Sequence, residues 1–179
     1  MMKHALFQNA YLVNSIEDAA DDWARLYGAG PFYVRRHHKT DEFMYRGTPE
    51  EADVSYAFGY LGDMMIQFIV QHDEKGSIYR DMFKPGEQGF HHIAYLVDDV
   101  KEEGRRLAAM GFTNACELFS DTVRAAYYDT RALNGVFTEI HGQPQNVLDR
   151  FAVWRREHEA WDGKGSPLRE PAPMAPLKA

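Results

Sequence analysis

Gly89-Phe90-His91-His92-Ile93-Ala94-Tyr95-Leu96-Val97-Asp98-Asp99-Val100 is a short, nearly all-apolar run that passes directly into a helix start. Its length and its aromatic and β-branched content predict a strand buried on both faces, and Asp98 or Asp99 offers an N-cap. The same pattern stands earlier as Phe7-Gln8-Asn9-Ala10-Tyr11-Leu12-Val13-Asn14-Ser15-Ile16. Ala-Tyr-Leu-Val is identical in both copies, at 10–13 and 94–97, and Gln8 stands where the second copy has His92. A repeat of about 80 residues is too long for a solenoid unit, so the chain reads as a duplicated supersecondary module.

Working outward from the first copy, residues 5–13 form the opening strand. Ser15 is an N-cap with Asp18 three residues on, and Ile16, Ala19, Ala20, Trp23, Leu26 and Tyr27 follow at helical spacing until Gly28 stops the helix. Phe32–His38 reads as a second strand whose basic end (Arg35, Arg36, His37, His38, then Lys39) faces solvent. Residues 39–51 are polar, hold Gly47, Thr48 and Pro49, and read as a loop. Val54–Tyr60 and Met64–Gln71 are the third and fourth strands, joined by a turn at Gly62-Asp63. Module one therefore spans 5–71, and residues 72–89 link the halves. Module two, 90–143, repeats the order: a strand at 90–97, and a helix marked by Val100, Leu107, Ala108 and Met110 and stopped by Gly111. Strands then follow at 112–119, 124–129 and 136–141, the last two separated by a turn at Asn134-Gly135. Residues 144–179 stand apart from the 1–143 domain. Val147, Phe151, Trp154 and Trp161 predict an amphipathic helix over 146–162, a lid or packing piece, and after Gly163 an extended, flexible tail.

Composition narrows the function classes. The 179 residues are 45% hydrophobic and carry a net charge of −7 without a long basic run, which argues against nucleic acid as a partner. The single cysteine, Cys116, excludes an internal disulfide framework and reads as a small buried hydrophobe. The start Met-Met-Lys-His-Ala-Leu-Phe-Gln has no sustained apolar leader, and no apolar run approaches the roughly 20 residues of a membrane span. The expectation is a soluble cytoplasmic protein without a membrane partner. Open sheet edges that need covering favour a homodimer.

The chemistry comes from the repeat. On the first strands Gln8, Ala10 and Leu12 share one face, and His92, Ala94 and Leu96 share the equivalent one. Aligning the fourth strands sets Gly62-Asp63-Met64-Met65-Ile66-Gln67-Phe68 against Asn134-Gly135-Val136-Phe137-Thr138-Glu139-Ile140, and so Gln67 against Glu139. An unpaired polar group in such apolar strands costs a few kcal/mol, so all four need a partner. One imidazole, one carboxylate and two amide oxygens brought together by pseudo-two-fold symmetry would hold a metal ion. His91 points away from His92 by strand alternation and reads as structural, and His141 shares the face of Glu139 as its hydrogen-bonding partner.

These same stretches, His91 to Val100 and Gly135 to Ile140, resemble the vicinal oxygen chelate superfamily of glyoxalases, methylmalonyl-CoA epimerases, extradiol dioxygenases and bleomycin-resistance proteins. Gly28-Ala29-Gly30-Pro31-Phe32 and Gly76-Ser77-Ile78-Tyr79-Arg80 look like the epimerase branch. The resemblance covers about residues 5–143. It implies an α+β fold of two tandem βαβββ modules forming an open curled barrel around one divalent metal, with ligands Gln8, Gln67, His92 and Glu139. Glutamine at the second of these positions is similar to the epimerases. Mostly oxygen donors with one imidazole suit Zn, Mn, Co, Ni or Mg. Only Glu139 is anionic, so the bound ion keeps positive charge that can bind a carbonyl and stabilise the enolate formed when the adjacent carbon loses a proton. Glu139 is the expected base, and the epimerase resemblance favours Glu50 as a second base on the opposite face. The reading is a metal-dependent isomerase, epimerase or lyase acting on a small carbonyl substrate, an acyl-CoA or another acidic metabolite. Its rivals are an extradiol dioxygenase holding Fe with Gln8, His92 and Glu139, and a metal-free binding protein for a small aromatic compound.

Overall fold

The computed structural model describes residues 4–120 and 123–170. In chain order these form β1 (Leu6–Leu12), α1 (Ile16–Tyr27), β2 (Phe32–His38), β3 (Glu42–Tyr45), β4 (Thr48–Pro49), β5 (Val54–Leu61), β6 (Met64–Gln71) and α2 (Ile78–Met82). The second half holds β7 (Gly89–Val97), α3 (Val100–Ala109), β8 (Asn114–Ser120), β9 (Val123–Tyr128), α4 (Arg131–Asn134), β10 (Phe137–Gly142), α5 (Gln145–Ala160) and β11 (Leu168–Arg169). Both crossover helices start where expected. The Ser15 hydroxyl accepts from the Asp18 N–H at 3.1 Å, and the Asp99 carboxylate accepts from the N–H groups of Lys101 and Glu102 at 2.8 and 2.9 Å. Gly28 ends α1 at φ 70°, a conformation a Cβ would resist.

The strands make one open sheet in the order β11-β2-β5-β6-β1-β7-β10-β9-β8-β3-β4. Its centre is the antiparallel β1–β7 pair, in which Gln8 faces Ala94 and Ala10 faces His92. On one side β6 runs parallel to β1 with Gln67 opposite Ala10, and on the other β10 runs parallel to β7 with Glu139 opposite Ala94. The duplication is thus written into the register. Two tandem βαβββ modules flank a pseudo-two-fold axis between β1 and β7, and the concave face holds a core of Leu12, Phe43, Tyr56, Ile69, Tyr79, Tyr127 and Phe137. Cys116 is buried in the same core, and burial pushes its thiol far up in pKa, so it stays protonated.

Three local expectations need correction, and the segment between the modules holds a helix that the sequence reading did not specify. Residues 39–51 are not a plain loop: β3 leaves module one and pairs antiparallel with β8 of module two, because Phe43 buries its ring in the shared core. The link at 72–89 contains α2, capped by Ser77. Asn134-Gly135 ends the short α4 instead of making a two-residue hairpin, and Thr130 closes that corner by donating to the Val136 carbonyl at 2.8 Å. The strand expected from 112 starts at Asn114, since Phe112 turns in to pack beneath α3.

The chain after α5 is not wholly detached. The Phe32 N–H donates to the Pro167 carbonyl at 2.7 Å and β11 adds to the edge of β2. The rest of the expected tail, 171–179, lies outside the described residues. Among the described residues no helix is long and apolar enough to cross a membrane.

Candidate functional site

The four polar residues singled out by the repeat come together. Gln8 Nε2 donates to Gln67 Oε1 at 2.7 Å and stands 3.4 Å from His92 Nε2, and His92 Nε2 lies 3.0 Å from Glu139 Oε2. All four are buried, with His92 at 0% and the others at 3–4% exposure. The cause is the register: Ala10 and Ala94 separate the long side chains on each central strand, and a methyl group at these points leaves the interior space to the polar groups.

A chain of hydrogen bonds fixes which nitrogen of His92 faces this cluster. His91 Nε2 lies 3.1 Å from the Ile78 carbonyl, which can only accept, so Nε2 carries the hydrogen. Burial, and then the neighbouring His92, hold the His91 imidazole well below the ordinary histidine range, so it is neutral and its Nδ1 is bare. That Nδ1 lies 2.9 Å from His92 Nδ1, which must therefore donate, and so His92 turns its Nε2 towards Glu139. That nitrogen lies 3.0 Å from Glu139 Oε2, a buried oxygen that receives no aligned hydrogen bond. A buried carboxylate oxygen and an imidazole nitrogen 3.0 Å apart, with two amides beside them, form a nitrogen and oxygen donor set that a cation could bridge.

This orphaned oxygen is the test of a cation, and the donor set passes it. The Gln8 amide presents its nitrogen here, but the last torsion of glutamine is soft and two-fold, so its oxygen can take the same place. Burial raises the Glu139 pKa, and His92, His141 and Tyr127 lower it; the net direction is below the ordinary glutamate range, so the group is a carboxylate at neutral pH. Burial and the adjacent Glu139 push the Tyr127 hydroxyl far up, so that side chain stays neutral.

Gln8, Gln67 and Glu139 open onto a cavity of about 130 Å³. Tyr56, Phe58 and Tyr127 line it from the sheet, Arg35 and His38 from the end of β2, and Val147, Arg150, Phe151 and Trp154 from α5. The C-terminal helix is therefore a wall of the site as well as a packing piece; the Trp154 ring lies nearly parallel to Phe58 and Tyr33 with centroids 5.6 and 5.0 Å away.

Glu50 is not brought to this cavity. It follows β4 in an adjoining cleft with Glu51, whose N–H donates to its carboxylate at 3.0 Å. His141 does line the cavity, but its Nδ1 lies 2.5 Å from the Gly142 carbonyl, with no hydrogen bond to Glu139. His91, set aside by strand alternation, lies edge-to-face with His92 and holds it through the Nδ1–Nδ1 contact. The basic strand end is also less plainly solvated than expected. His37 sits at φ 46° in a bulge, its Nδ1 is 2.8 Å from Asp53, and with His72 it forms an exposed His-Asp-His group that strand-by-strand reading passed over.

A family model described as the glyoxalase/bleomycin resistance protein/dioxygenase superfamily matches residues 7–128. The chain belongs to this superfamily. Among solved structures, methylmalonyl-CoA epimerase from Mycobacterium tuberculosis is 17% identical at a TM-score of 0.57, the match covering 80% of this chain and 91% of that one. A hypothetical protein from Bacillus halodurans C-125 is 18% identical at 0.58, covering 80% and 97%. A mutant 4-hydroxymandelate synthase from Streptomyces coelicolor is 14% identical at 0.52, covering 78% of this chain and 49% of that one. No curated protein matches the chain. At such identities the likeness establishes the fold of this glyoxalase-superfamily member and leaves its reaction to be argued from its own residues.

Proposed function

We propose that this glyoxalase-superfamily protein is a divalent-metal-dependent enzyme that moves a proton on the carbon beside a substrate carbonyl, as an isomerase, epimerase or lyase does. The observation that carries the reading is the meeting of His92 Nε2 and the unpartnered Glu139 Oε2, 3.0 Å apart in a buried cluster with the two amides of Gln8 and Gln67. Gln8, Gln67, His92 and Glu139 would hold the ion, which when bound supplies a Lewis acid that polarises a carbonyl and acidifies its neighbouring C–H.

The remaining chemistry belongs to the chain. Glu139 is ionised and opens onto the cavity, so it can accept the proton at a carboxylate oxygen and return it to either carbon of a delocalised product. Neutral Gln67 and Gln8 take no proton and His92 would be committed to the ion, so Glu139 is the base this reading assigns. His92 is held in place through His91. Tyr56, Phe58 and Tyr127 give the reacting carbon a largely aromatic wall. With Glu50 in a separate cleft, a single-base reaction is the form these residues support best.

The test has two parts. Titration of the purified protein with Mn²⁺ should show one site per chain that is lost in His92→Ala. In D₂O with Mn²⁺ present, deuterium should enter the α-carbon of a bound carbonyl acid, and Glu139→Gln should abolish the exchange. A protein with no affinity for Mn²⁺, Co²⁺ or Zn²⁺ sinks the metal reading, and exchange that survives in Glu139→Gln places the base elsewhere.

A further inference from the structure

We propose that His37, Asp53 and His72 form a second divalent-ion site, at the protein surface, whose preferred occupant is Zn²⁺. It is separate from the buried cluster and does not depend on the reaction proposed there. One donor atom from each of the three residues lies within 4.8 Å of the other two. Ligand atoms around a four-coordinate zinc stand about 3.3 Å apart, so small rotations of two exposed imidazoles close the set. Two imidazoles and a carboxylate suit zinc and leave its fourth position to water.

The backbone of three segments is tied together to make this group. β2 bulges against β5 between Arg35 and His38, and within the bulge His37 takes φ 46°. The His37 N–H donates to Ser55 Oγ at 2.9 Å, and the same hydroxyl lies 2.7 Å from His72 Nε2. Ser55 is only 2% exposed, so one buried hydroxyl fixes both histidines; such outer contacts are what orient metal-binding imidazoles. The His72 N–H donates to the Asp53 carbonyl at 2.8 Å, and the Asp53 N–H donates to Asp73 Oδ2 at 2.9 Å.

A plain ion pair is the simpler account, and it explains less. His37 Nδ1 lies 2.8 and 2.9 Å from the two Asp53 oxygens, but both side chains are exposed enough that such a pair stabilises little. That gain is no larger than the cost of holding a histidine in left-handed backbone. Nor does a pair call for the second imidazole, which stacks on the first with ring centroids 4.4 Å apart. Asp73 brings a further carboxylate behind Asp53, so the local field favours a cation. His37 and Asp53 also border the cleft of Glu50 and Glu51, which puts the ion at that cleft's edge.

Equilibrium dialysis of the chelator-treated whole chain against micromolar Zn²⁺, followed by elemental analysis, tests the site. Wild type should retain one zinc more than His72→Ala. His37→Asn, which keeps a residue tolerant of left-handed backbone, should match His72→Ala. Loss of an outer partner alone typically costs about 10–100-fold in affinity, so each lost ligand should weaken zinc here by at least about tenfold. Circular dichroism should be unchanged, and so should the affinity of the buried cluster for Mn²⁺, the weakest binder of the first-row series. Equal zinc content in wild type and both variants overturns the proposal, as does an extra ion retained only at millimolar zinc, which marks an adventitious surface contact. Should His37→Asn fail to fold, the comparison with His72→Ala is sufficient. Zinc lost in His72→Ala from a protein that binds no Mn²⁺ would uphold this site and sink the buried one; Mn²⁺ binding with no zinc difference would do the reverse.

Discussion

The Nδ1 atoms of His91 and His92 lie 2.9 Å apart, so one imidazole sets the tautomer of the next. Removing the acceptor should loosen the cluster without touching it. His91→Phe keeps an aromatic of similar size between Tyr79 and Phe137 but cannot accept from His92. Outer partners of metal-binding histidines are typically worth about 10–100-fold in affinity, so Mn²⁺ binding should weaken by at least about tenfold while circular dichroism stays unchanged. Unaltered affinity would mean that His92 is oriented by its strand alone.

A second carboxylate should tie stability to metal. In Gln67→Glu a new anion joins Glu139 in a buried cluster, where like charges repel strongly. The Tm of the metal-free variant should fall below wild type, and added Mn²⁺ should raise it by more than it raises wild type. Thermal melts with and without Mn²⁺ check this, and a metal-free variant as stable as wild type would show that the two carboxylates do not face each other.

Acid sensitivity should come from Glu103, far from the site. It is buried beneath β7, where Arg106 donates to it at 2.6 and 2.8 Å and the Tyr95 hydroxyl at 2.5 Å. The Arg106 bonds lower its pKa, burial opposes them, and the net direction is down. A lowered pKa contributes stability above the unfolded value of about 4.3, lost as pH falls through the folded value. Glu103→Gln should therefore cost about 2 kcal/mol at pH 7, the worth of hydrogen bonds to a charged group, and less at about pH 4, where the unfolded group already takes up protons. Urea midpoints at the two pH values measure the difference.

Gly59 tests packing against propensity. A Cβ there would lie 2.6 Å from Phe32 Cδ1, and that ring packs on Phe68 with centroids 4.7 Å apart. Alanine is the better strand residue, yet overpacking a filled core costs about 1–3 kcal/mol and should win, so Gly59→Ala should lower the urea midpoint.

Much of this was legible in the chain. Ala-Tyr-Leu-Val at 10–13 and 94–97 revealed the duplication, and two capped helix starts at Ser15 and Asp99 fixed where each strand must end. Gln8 with His92 and Gln67 with Glu139 were found because a strand exposes alternate residues to one face, and symmetry relates the faces. The excursion of β3 was harder to read: Phe43 and Tyr45 alternate over only four residues beside Gly47 and Pro49, too short a run to distinguish strand from loop.

What the sequence by itself determined is therefore the duplicated βαβββ plan and the pairing of the four buried polar residues, since both follow from spacing along one strand and its copy. Only the tertiary structure decided that His91 orients His92, that Glu50 sits in another cleft, and that α5 walls the cavity with Phe151, Trp154 and Arg150. The physical reason is that periodicity tells which way a side chain faces, while its partner is set by segments that meet only when the sheet curls.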